Sequence, residues 1–152
     1  MAGQQGRNRQ GSLLSLISII LLGLSMFGLT GFIHFQVIHR THQWLKSKEL
    51  SKAHKMIIGL YAAAIAHISE AGLYAIAFVM GSSIGLGDFK PPDISAMEIF
   101  YFSLVNYTSL GLGDIYPTEH LRFLAGIESL NGFLLISCSA SLIFMLMTET
   151  EK

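Results

Sequence analysis

The four-residue phrase Gly-Leu-Gly-Asp occurs twice in this sequence, at residues 85–88 and again at residues 111–114. Glycine tolerates positive φ at low cost, so the backbone of such a phrase can alternate between right-handed and left-handed conformations. That alternation points successive carbonyl groups at one axis, where they can replace the hydration shell of a cation. Irregular backbone of this kind is tolerated at membrane depth only where it is buried in protein or lines a water-filled path. The flanking elements therefore decide whether either phrase can bind ions.

The composition indicates an integral membrane protein. The 152-residue chain is 51% hydrophobic and 13% charged, whereas about a quarter of a typical soluble domain is charged. The net formal charge is zero with ten basic residues, so the chain has no excess of positive charge that would indicate binding to a nucleic acid. The single cysteine, Cys138, excludes an internal disulfide. We expect membrane lipid around the chain, no nucleic-acid partner and no soluble partner.

Three apolar runs are long enough to cross a bilayer, because a helix rises about 1.5 Å per residue and the hydrocarbon layer is about 30 Å thick. They are residues 13–38, 56–81 and 121–147. The amphipathic run at residues 94–107 would extend only about 21 Å as a helix, so we predict that it enters the membrane without spanning it. A signal peptide is the alternative for the first run, but that run is too long and lacks a small-residue cleavage site.

Polar stretches separate these runs. We assign them to an amino-terminal tail, a basic loop, an outer loop and a carboxyl-terminal tail, at residues 1–12, 39–55, 82–93 and 148–152. Lysine and arginine near span ends concentrate on the cytoplasmic side. The basic loop holds Arg40, Lys46, Lys48, Lys52 and Lys55, whereas the tail holds Arg7 and Arg9. We therefore expect the loop and the carboxyl terminus in the cytoplasm, the amino terminus outside, and no soluble domain after the third run.

The two glycine phrases differ in their flanks. The second phrase follows the short helix and precedes a full span, which is the order of span, short helix, filter and span found in a cation-channel pore. The first phrase follows a full crossing and precedes charged, proline-containing residues that are typical of an outer loop. We therefore predict that the second phrase binds ions and that the first is structural. Alanine at Gly85 or Gly87 should then leave conduction unchanged.

The second phrase also carries a family resemblance. The segment YTSLGLGD resembles the potassium-channel filter pattern T-V-G-Y-G-D, with Ser109 at the threonine, Leu110 at the valine and Leu112 at the tyrosine. The segments AHISEAGLYA, YFSLVNYTSLGLGD and ESLNGFLLISCSASLIF are similar to small bacterial potassium channels of the single-pore-domain type, over about residues 66–144. The resemblance implies an all-α membrane protein of the bacterial inner membrane. It would have three transmembrane helices, a re-entrant pore helix, a filter at residues 108–114 (the predicted filter) and a homotetrameric pore.

The resemblance implies passive potassium conduction, no enzymatic activity and no cofactor beyond the permeant potassium ion. The ion-binding residues would be Thr108, Ser109, Leu110, Gly111, Leu112 and Gly113. Potassium would be held by the carbonyl groups of Ser109, Leu110, Gly111 and Leu112. The Ser109 hydroxyl would add a ligand, and Asp114 would anchor the outer mouth. Leu112 removes the usual tyrosine hydroxyl and Ser109 removes a methyl group, so a nonselective cation channel is the alternative.

The last span supplies the inner part of the pore. Counted from Asp114, Gly132 lies near the hinge of the inner helix in this family. Helical spacing then puts a set of residues toward the axis, namely Ile136, Ala140, Ser141 and Phe144. Alternatively, Gly132 only permits close packing, since small residues are common at helix contacts in membranes.

Ionisable side chains also fall inside the predicted spans, at His34, His67, Glu70 and Glu128. Such groups are costly there and usually face protein or water. His67 and Glu70 are three residues apart and share a helix face, as do Glu128 and Asn131. We predict that His67, Glu70, Glu128 and Asn131 form one buried polar cluster that supports the pore helix. A proton sensor is the alternative role, because histidine titrates near neutral pH.

The histidines raise a different class of function, a haem-binding or metal-binding electron-transfer protein. Paired axial ligands should recur at matching depth on facing spans, and we expect no such pair. The histidines at the membrane edges are His39, His42, His54 and His120. A channel-like regulatory subunit that conducts nothing would show the same sequence features as a channel.

Overall fold

The structure, a computed structural model, describes residues 2–148, with side chains from Ser12 onward. The elements in this range are α1 (Ala2–Lys46), α2 (Lys52–Ser83), β1 (Phe89–Lys90), α3 (Ala96–Tyr107), β2 (Tyr116–Pro117) and α4 (Leu121–Thr148). Three of these helices are long and apolar enough to cross a membrane, over Ser12–Lys46, Lys52–Ser83 and Leu121–Thr148. The prediction of a helical protein with three long apolar helices is confirmed.

The first helix is longer at both ends than its apolar run. It begins at Ala2, within the predicted tail, and it takes up much of the predicted basic loop, so that only residues 47–51 connect α1 to α2. The first half of that predicted loop contains no glycine or proline that would stop a helix. The fully buried Leu45 also packs against Leu142 and Leu146 of α4. The sequence did not indicate this contact, because Leu45 lies among polar residues. The predicted carboxyl-terminal tail lies outside the described residues, apart from Thr148, which ends α4.

A capping box sets the start of the short helix α3, two residues after the predicted start. The Ser95 hydroxyl accepts the backbone N–H of Glu98 at 3.3 Å, and the Glu98 carboxylate accepts the backbone N–H of Ser95 at 2.7 Å. These reciprocal bonds satisfy donors that the first turn of a helix leaves free. The backbone N–H of Ser95, with its hydroxyl, holds the pKa of Glu98 below its usual value. The 12 residues of α3 extend about 18 Å, too little to cross a bilayer.

An antiparallel ribbon that the sequence did not indicate joins the stretches that follow the two glycine phrases. Phe89 lies opposite Pro117. The backbone N–H of Asp88 donates to Thr118 Oγ1 at 2.9 Å, and the backbone N–H of Thr118 donates to the Asp88 carbonyl at 2.7 Å. Gly87 has a φ of +142°, and a Cβ there would collide with the Thr118 carbonyl. Alanine at Gly87 should therefore disturb the packing of the ribbon, whereas the expectation that it leaves conduction unchanged stays a prediction.

Three phenylalanine rings connect α2, the ribbon and α3. Phe78, Phe89 and Phe102 are all buried and pack edge to face, with ring centroids 5.3, 5.4 and 5.6 Å apart. Such pairs contribute about 0.5–1.5 kcal/mol beyond the area that they bury. They fix α3 against α2, so that the chain leaving the end of α3 starts from a defined position.

Candidate functional site

The predicted filter connects α3 to β2 and has an alternating backbone. Ser109, Gly111 and Gly113 have φ values of 60°, 55° and 80°, whereas Leu110 and Leu112 between them are not in the positive-φ region. Every second residue from Ser109 to Gly113 is therefore left-handed. The alternation expected at the two glycines is present, and it starts earlier, at Ser109, where a non-glycine residue accepts a conformation that glycine adopts more easily.

The backbone of this segment is exposed and contacts little else in the single chain. Residues 108–114 are all exposed in the single chain, and a Cβ added to Gly111 or Gly113 would meet nothing within 4 Å. Within residues 2–148, no hydrogen bond joins the backbone of residues 111–113 to another backbone group. The carbonyl groups of the segment are thus available to a ligand.

Side-chain hydrogen bonds hold the segment at both ends. At its C-terminal end, the Tyr101 hydroxyl of α3 donates to the Asp114 carboxylate at 3.1 Å. Near its N-terminal end, the Ser109 hydroxyl lies 2.9 Å from the Ser129 hydroxyl of α4. The Thr108 hydroxyl donates to the Val105 carbonyl at 2.9 Å and extends the end of α3. Neither Tyr101 nor Ser129 was singled out from the sequence.

A family model described as ion channel matches residues 60–149, which is more than half of the chain. The chain belongs to the ion channel family. The match includes α3, the predicted filter and the whole of α4. No curated protein and no solved structure matches the chain. The prediction of a pore-loop ion channel in a membrane is confirmed at the level of the family and of the long apolar helices.

In this channel, Gly132 is a site of close packing. A Cβ on Gly132 would collide with the carbonyl oxygen of Tyr107, the last residue of α3. Helix α4 runs without interruption across this position. The absence of a side chain therefore lets α4 lie directly against the end of α3, which is the packing alternative. A hinge at Gly132 stays a prediction.

The fourth helix of the channel has one buried face and one free face. Its buried residues include Leu135, Ser139 and Leu142, which face the helices of the same chain. The residues predicted to line the inner pore, Ile136, Ala140, Ser141 and Phe144, are all exposed in the single chain. Three of them recur at intervals of four and share one stripe of the helix. The stripe is free for contact with a pore or with another chain.

The polar residues predicted to form one cluster belong to three groups. In the first group, Glu70 is fully buried and lies where three helices meet. His34 Nδ1 of α1 is 3.0 Å from Glu70 Oε1, and the Tyr107 hydroxyl of α3 donates to Glu70 Oε2 at 2.5 Å. His67 Nδ1 lies 3.4 Å from Glu70 Oε2 and 3.1 Å from the Tyr107 hydroxyl. This group connects α1 and α2 to the residue that precedes the predicted filter.

Glu128 and Asn131 have other partners. The buried Glu128 carboxylate accepts hydrogen bonds from the Ser103 hydroxyl and, at 2.7 Å, from the Asn106 side-chain amide, so it contacts α3 directly. Asn131 donates to Thr30 Oγ1 at 2.5 Å and to the Tyr74 hydroxyl at 3.0 Å, which joins α4 to α1 and α2. Glu128 therefore does not share a cluster with His67 and Glu70. A role of these groups in sensing pH stays a prediction.

Several of these partners could have been found in the sequence. Ser103, Asn106 and Tyr107 recur at helical spacing on α3, and a polar stripe on a helix that enters a membrane indicates a face turned toward protein. The expectation that no histidines face each other across spans is wrong. The rings of His34 and His67 lie on neighbouring helices with centroids 5.0 Å apart.

Proposed function

We propose that four copies of this chain form a potassium channel in which residues 108–114 of each chain supply one quarter of a carbonyl-lined filter. The observation that carries the proposal is the alternation of positive φ at Ser109, Gly111 and Gly113. Such a backbone turns successive carbonyl groups toward one side, as a ring that replaces a hydration shell requires. One loop per chain cannot surround an ion, and homo-oligomers usually close by rotational symmetry.

The position of α3 supports this proposal. Helix α3 ends at Tyr107, directly before the filter. The C-terminal end of a helix carries a partial negative charge of about half an elementary charge, which favours a cation nearby. In the assembled channel, α3 is the pore helix, and it directs this end toward the water-filled cavity below the filter.

The side chains of the filter support an oligomer. Leu110 and Leu112 are 65% and 59% exposed in the single chain, although both are apolar. They alternate with the left-handed residues, so neighbouring chains would cover them while the carbonyl groups face the axis. Apolar side chains exposed together commonly mark an interface.

The ion sites are formed by the carbonyl groups of residues 109–112, with the Ser109 hydroxyl as an additional ligand. That hydroxyl lies 2.9 Å from the Ser129 hydroxyl and retains a lone pair for an ion. Leu112 offers no hydroxyl to hold the filter in place. The hydrogen bond between Tyr101 and Asp114 supplies a different support at the outer end, which favours selectivity for potassium over sodium.

The orientation follows from the basic residues. Lys46 ends α1 and Lys52 begins α2, so the basic residues of this connection lie together at one end of the helix pair. We assign this end to the cytoplasm of a bacterial inner membrane, with the amino terminus outside and the carboxyl terminus inside. Helix α3 then enters the membrane from the outside. The free stripe of α4 that includes Ile136, Ala140 and Phe144 lines the inner pore, and passive conduction through it needs no cofactor beyond potassium.

Potassium efflux from proteoliposomes tests the proposal. Purified protein in defined lipid should release potassium far faster than empty vesicles, and chemical cross-linking of the same sample should stop at four chains. Protein carrying Gly113→Ala serves as the control for leaks, because it should assemble and not conduct. Efflux equal to that of empty vesicles from an assembled wild-type sample would overturn the proposal and favour a subunit that does not conduct.

A further inference from the structure

Two histidines and a carboxylate converge in the interior of the chain. His34 comes from α1, and His67 and Glu70 come from successive turns of α2. One ligand atom from each of the three side chains lies within 4.8 Å of the others. His34 and Glu70 are buried, and His67 keeps 18% of its side chain exposed in the single chain. Imidazole nitrogen and carboxylate oxygen are the donor atoms that zinc prefers, together with thiolate.

The distances fit ligands of one small ion. His34 Nδ1 is 3.0 Å from one Glu70 oxygen, and His67 Nδ1 is 3.4 Å from the other. Ligands bound to zinc at about 2.0–2.2 Å in a tetrahedral arrangement are roughly 3.4 Å from one another. The Tyr107 hydroxyl is 3.1 Å from His67 Nδ1 and 2.5 Å from Glu70 Oε2, so it lies beside two of these ligand atoms. Only small movements would be needed to bring these atoms around a metal ion.

The Nε2 atoms of the two histidine rings share one hydrogen-bond partner. Ser139 Oγ lies 3.0 Å from His67 Nε2 and 3.3 Å from His34 Nε2. A serine hydroxyl has one proton and two lone pairs, so it can accept from two N–H groups but can donate to only one nitrogen. Without a metal, His34 Nδ1 lies at hydrogen-bond distance from the Glu70 carboxylate, which only accepts, so this nitrogen carries a proton. A metal would take the place of that proton, and Ser139 can then accept the Nε2–H groups of both rings. Metal-binding histidines commonly donate their other N–H in this way.

The charges support the same conclusion. Glu70 is fully buried, and its ionic contacts among the described side chains are to His34 and His67, with no lysine or arginine. A buried carboxylate within a membrane requires a compensating positive charge. We propose that His34, His67 and Glu70 form a binding site for a divalent transition metal, with zinc the best fit, and that Ser139 orients the two histidines.

The site is next to the predicted filter, so its occupation should affect conduction; this consequence rests on the proposed function. Tyr107 donates to Glu70 and directly precedes Thr108, the first residue of the filter. A metal bound to Glu70 would compete with the Tyr107 hydroxyl for the carboxylate oxygen that now accepts its hydrogen bond. The hydrogen bond that holds Tyr107, and with it the start of the filter, is weakened as a result. Zinc should therefore reduce the potassium current.

Titration of the purified full-length protein with Co²⁺ tests the site without reference to conduction. A tetrahedral Co²⁺ ion bound by nitrogen and oxygen absorbs visible light, and zinc should displace it and remove the absorption. We expect one bound Co²⁺ per chain. His34→Gln and Glu70→Gln should abolish the absorption, and Ser139→Ala should weaken the affinity about 10–100-fold, as loss of an orienting partner does elsewhere. His54→Gln is the control, because His54 is exposed at the start of α2 and bonds to Ser51.

The outcomes separate the site from the proposed function. Absence of Co²⁺ absorption, or equal affinity in the wild type and in folded His34→Gln protein, would overturn the metal site whether or not the channel conducts. If Glu70→Gln does not fold, His34→Gln and Ser139→Ala decide the question. Zinc should lower the wild-type current and leave the current of His34→Gln unchanged. Co²⁺ binding at this site without any effect of zinc on a conducting channel would overturn the link to the filter.

Discussion

The two Gly-Leu-Gly-Asp phrases have the same residue types and different surroundings. In the first, Gly87 lies against the Thr118 carbonyl, and Asp88 exchanges hydrogen bonds with Thr118, so the phrase is closed against the rest of the chain. In the second, Gly111 and Gly113 face open space. Positive φ at glycine therefore serves a turn in one place and an exposed row of carbonyl groups in the other. The residues packed around each phrase, and not the phrase itself, determine which of these two roles it has.

The largest expected effect comes from alanine at Gly113. Gly113 and Gly85 form a matched pair, with φ values of 80° and 76° and nothing within 4 Å of an added Cβ. Alanine should cost each site a similar conformational strain of about 1–2 kcal/mol. Gly113→Ala should abolish the potassium current, whereas Gly85→Ala should conduct like the wild type in the same bilayer recording. Equal currents from the two variants would remove the functional distinction between the phrases.

Alanine at Gly87 should act on stability instead of conduction. Its Cβ would meet the Thr118 carbonyl, and overpacking of this kind costs about 1–3 kcal/mol in addition to the strain that Gly85→Ala introduces. Thermal unfolding of the purified protein should therefore show a lower Tm for Gly87→Ala than for Gly85→Ala. The channels that remain folded should keep the selectivity of the wild type. A variant as stable as Gly85→Ala would contradict the close contact.

One hydrogen-bonding hydroxyl near each phrase can be removed with little change of shape. Tyr101→Phe removes the bond to Asp114, and Thr118→Val removes the bonds of its hydroxyl with Asp88. Each lost bond should cost about 0.5–1.5 kcal/mol. Tyr101→Phe should lower the permeability of potassium relative to sodium, whereas Thr118→Val should lower only the Tm. A change of selectivity in Thr118→Val alone would contradict this assignment.

The smallest expected effect concerns the cap of α3, the helix that leads to the second phrase only. Ser95→Ala removes the capping hydroxyl and should lower the free energy of unfolding by about 1 kcal/mol, with conduction retained. The lowered pKa of Glu98 means that the cap stabilises the folded chain at neutral pH. That contribution should be lost as the pH falls below about 4. Denaturation at pH 7 and pH 3 should therefore show a smaller difference between Ser95→Ala and the wild type in acid.

The long helices could be predicted because apolar runs of spanning length leave few alternatives in a membrane. The C-terminal end of α1 could not be predicted, because the contact of Leu45 with α4 joins residues that are far apart in the sequence. The ribbon was missed for a similar reason. Each of its strands has two residues, too few to show an alternating pattern, and the pairing depends on Thr118 reaching Asp88.

The polar residues inside the spans could be recognised, because placing such side chains in a membrane costs free energy. Their hydrogen-bond partners could not be predicted. His67 and Glu70 are close because they are three residues apart on one helix, and helical spacing shows this directly. The contact between His34 and Glu70 depends on how α1 packs against α2. Glu128 reaches Ser103 and Asn106 of α3 instead of Glu70, and the position of α3 follows from the packing of Phe78 against Phe102.

A bi-ionic reversal-potential measurement on the purified protein in defined lipid is the sharpest test of potassium selectivity at residues 108–114. With potassium on one side of the bilayer and sodium on the other, an alternating filter at Ser109, Gly111 and Gly113 predicts a reversal potential far from zero, in the direction of potassium permeation. A reversal potential near zero, which means equal permeability of the two ions, would contradict a potassium-selective filter at residues 108–114.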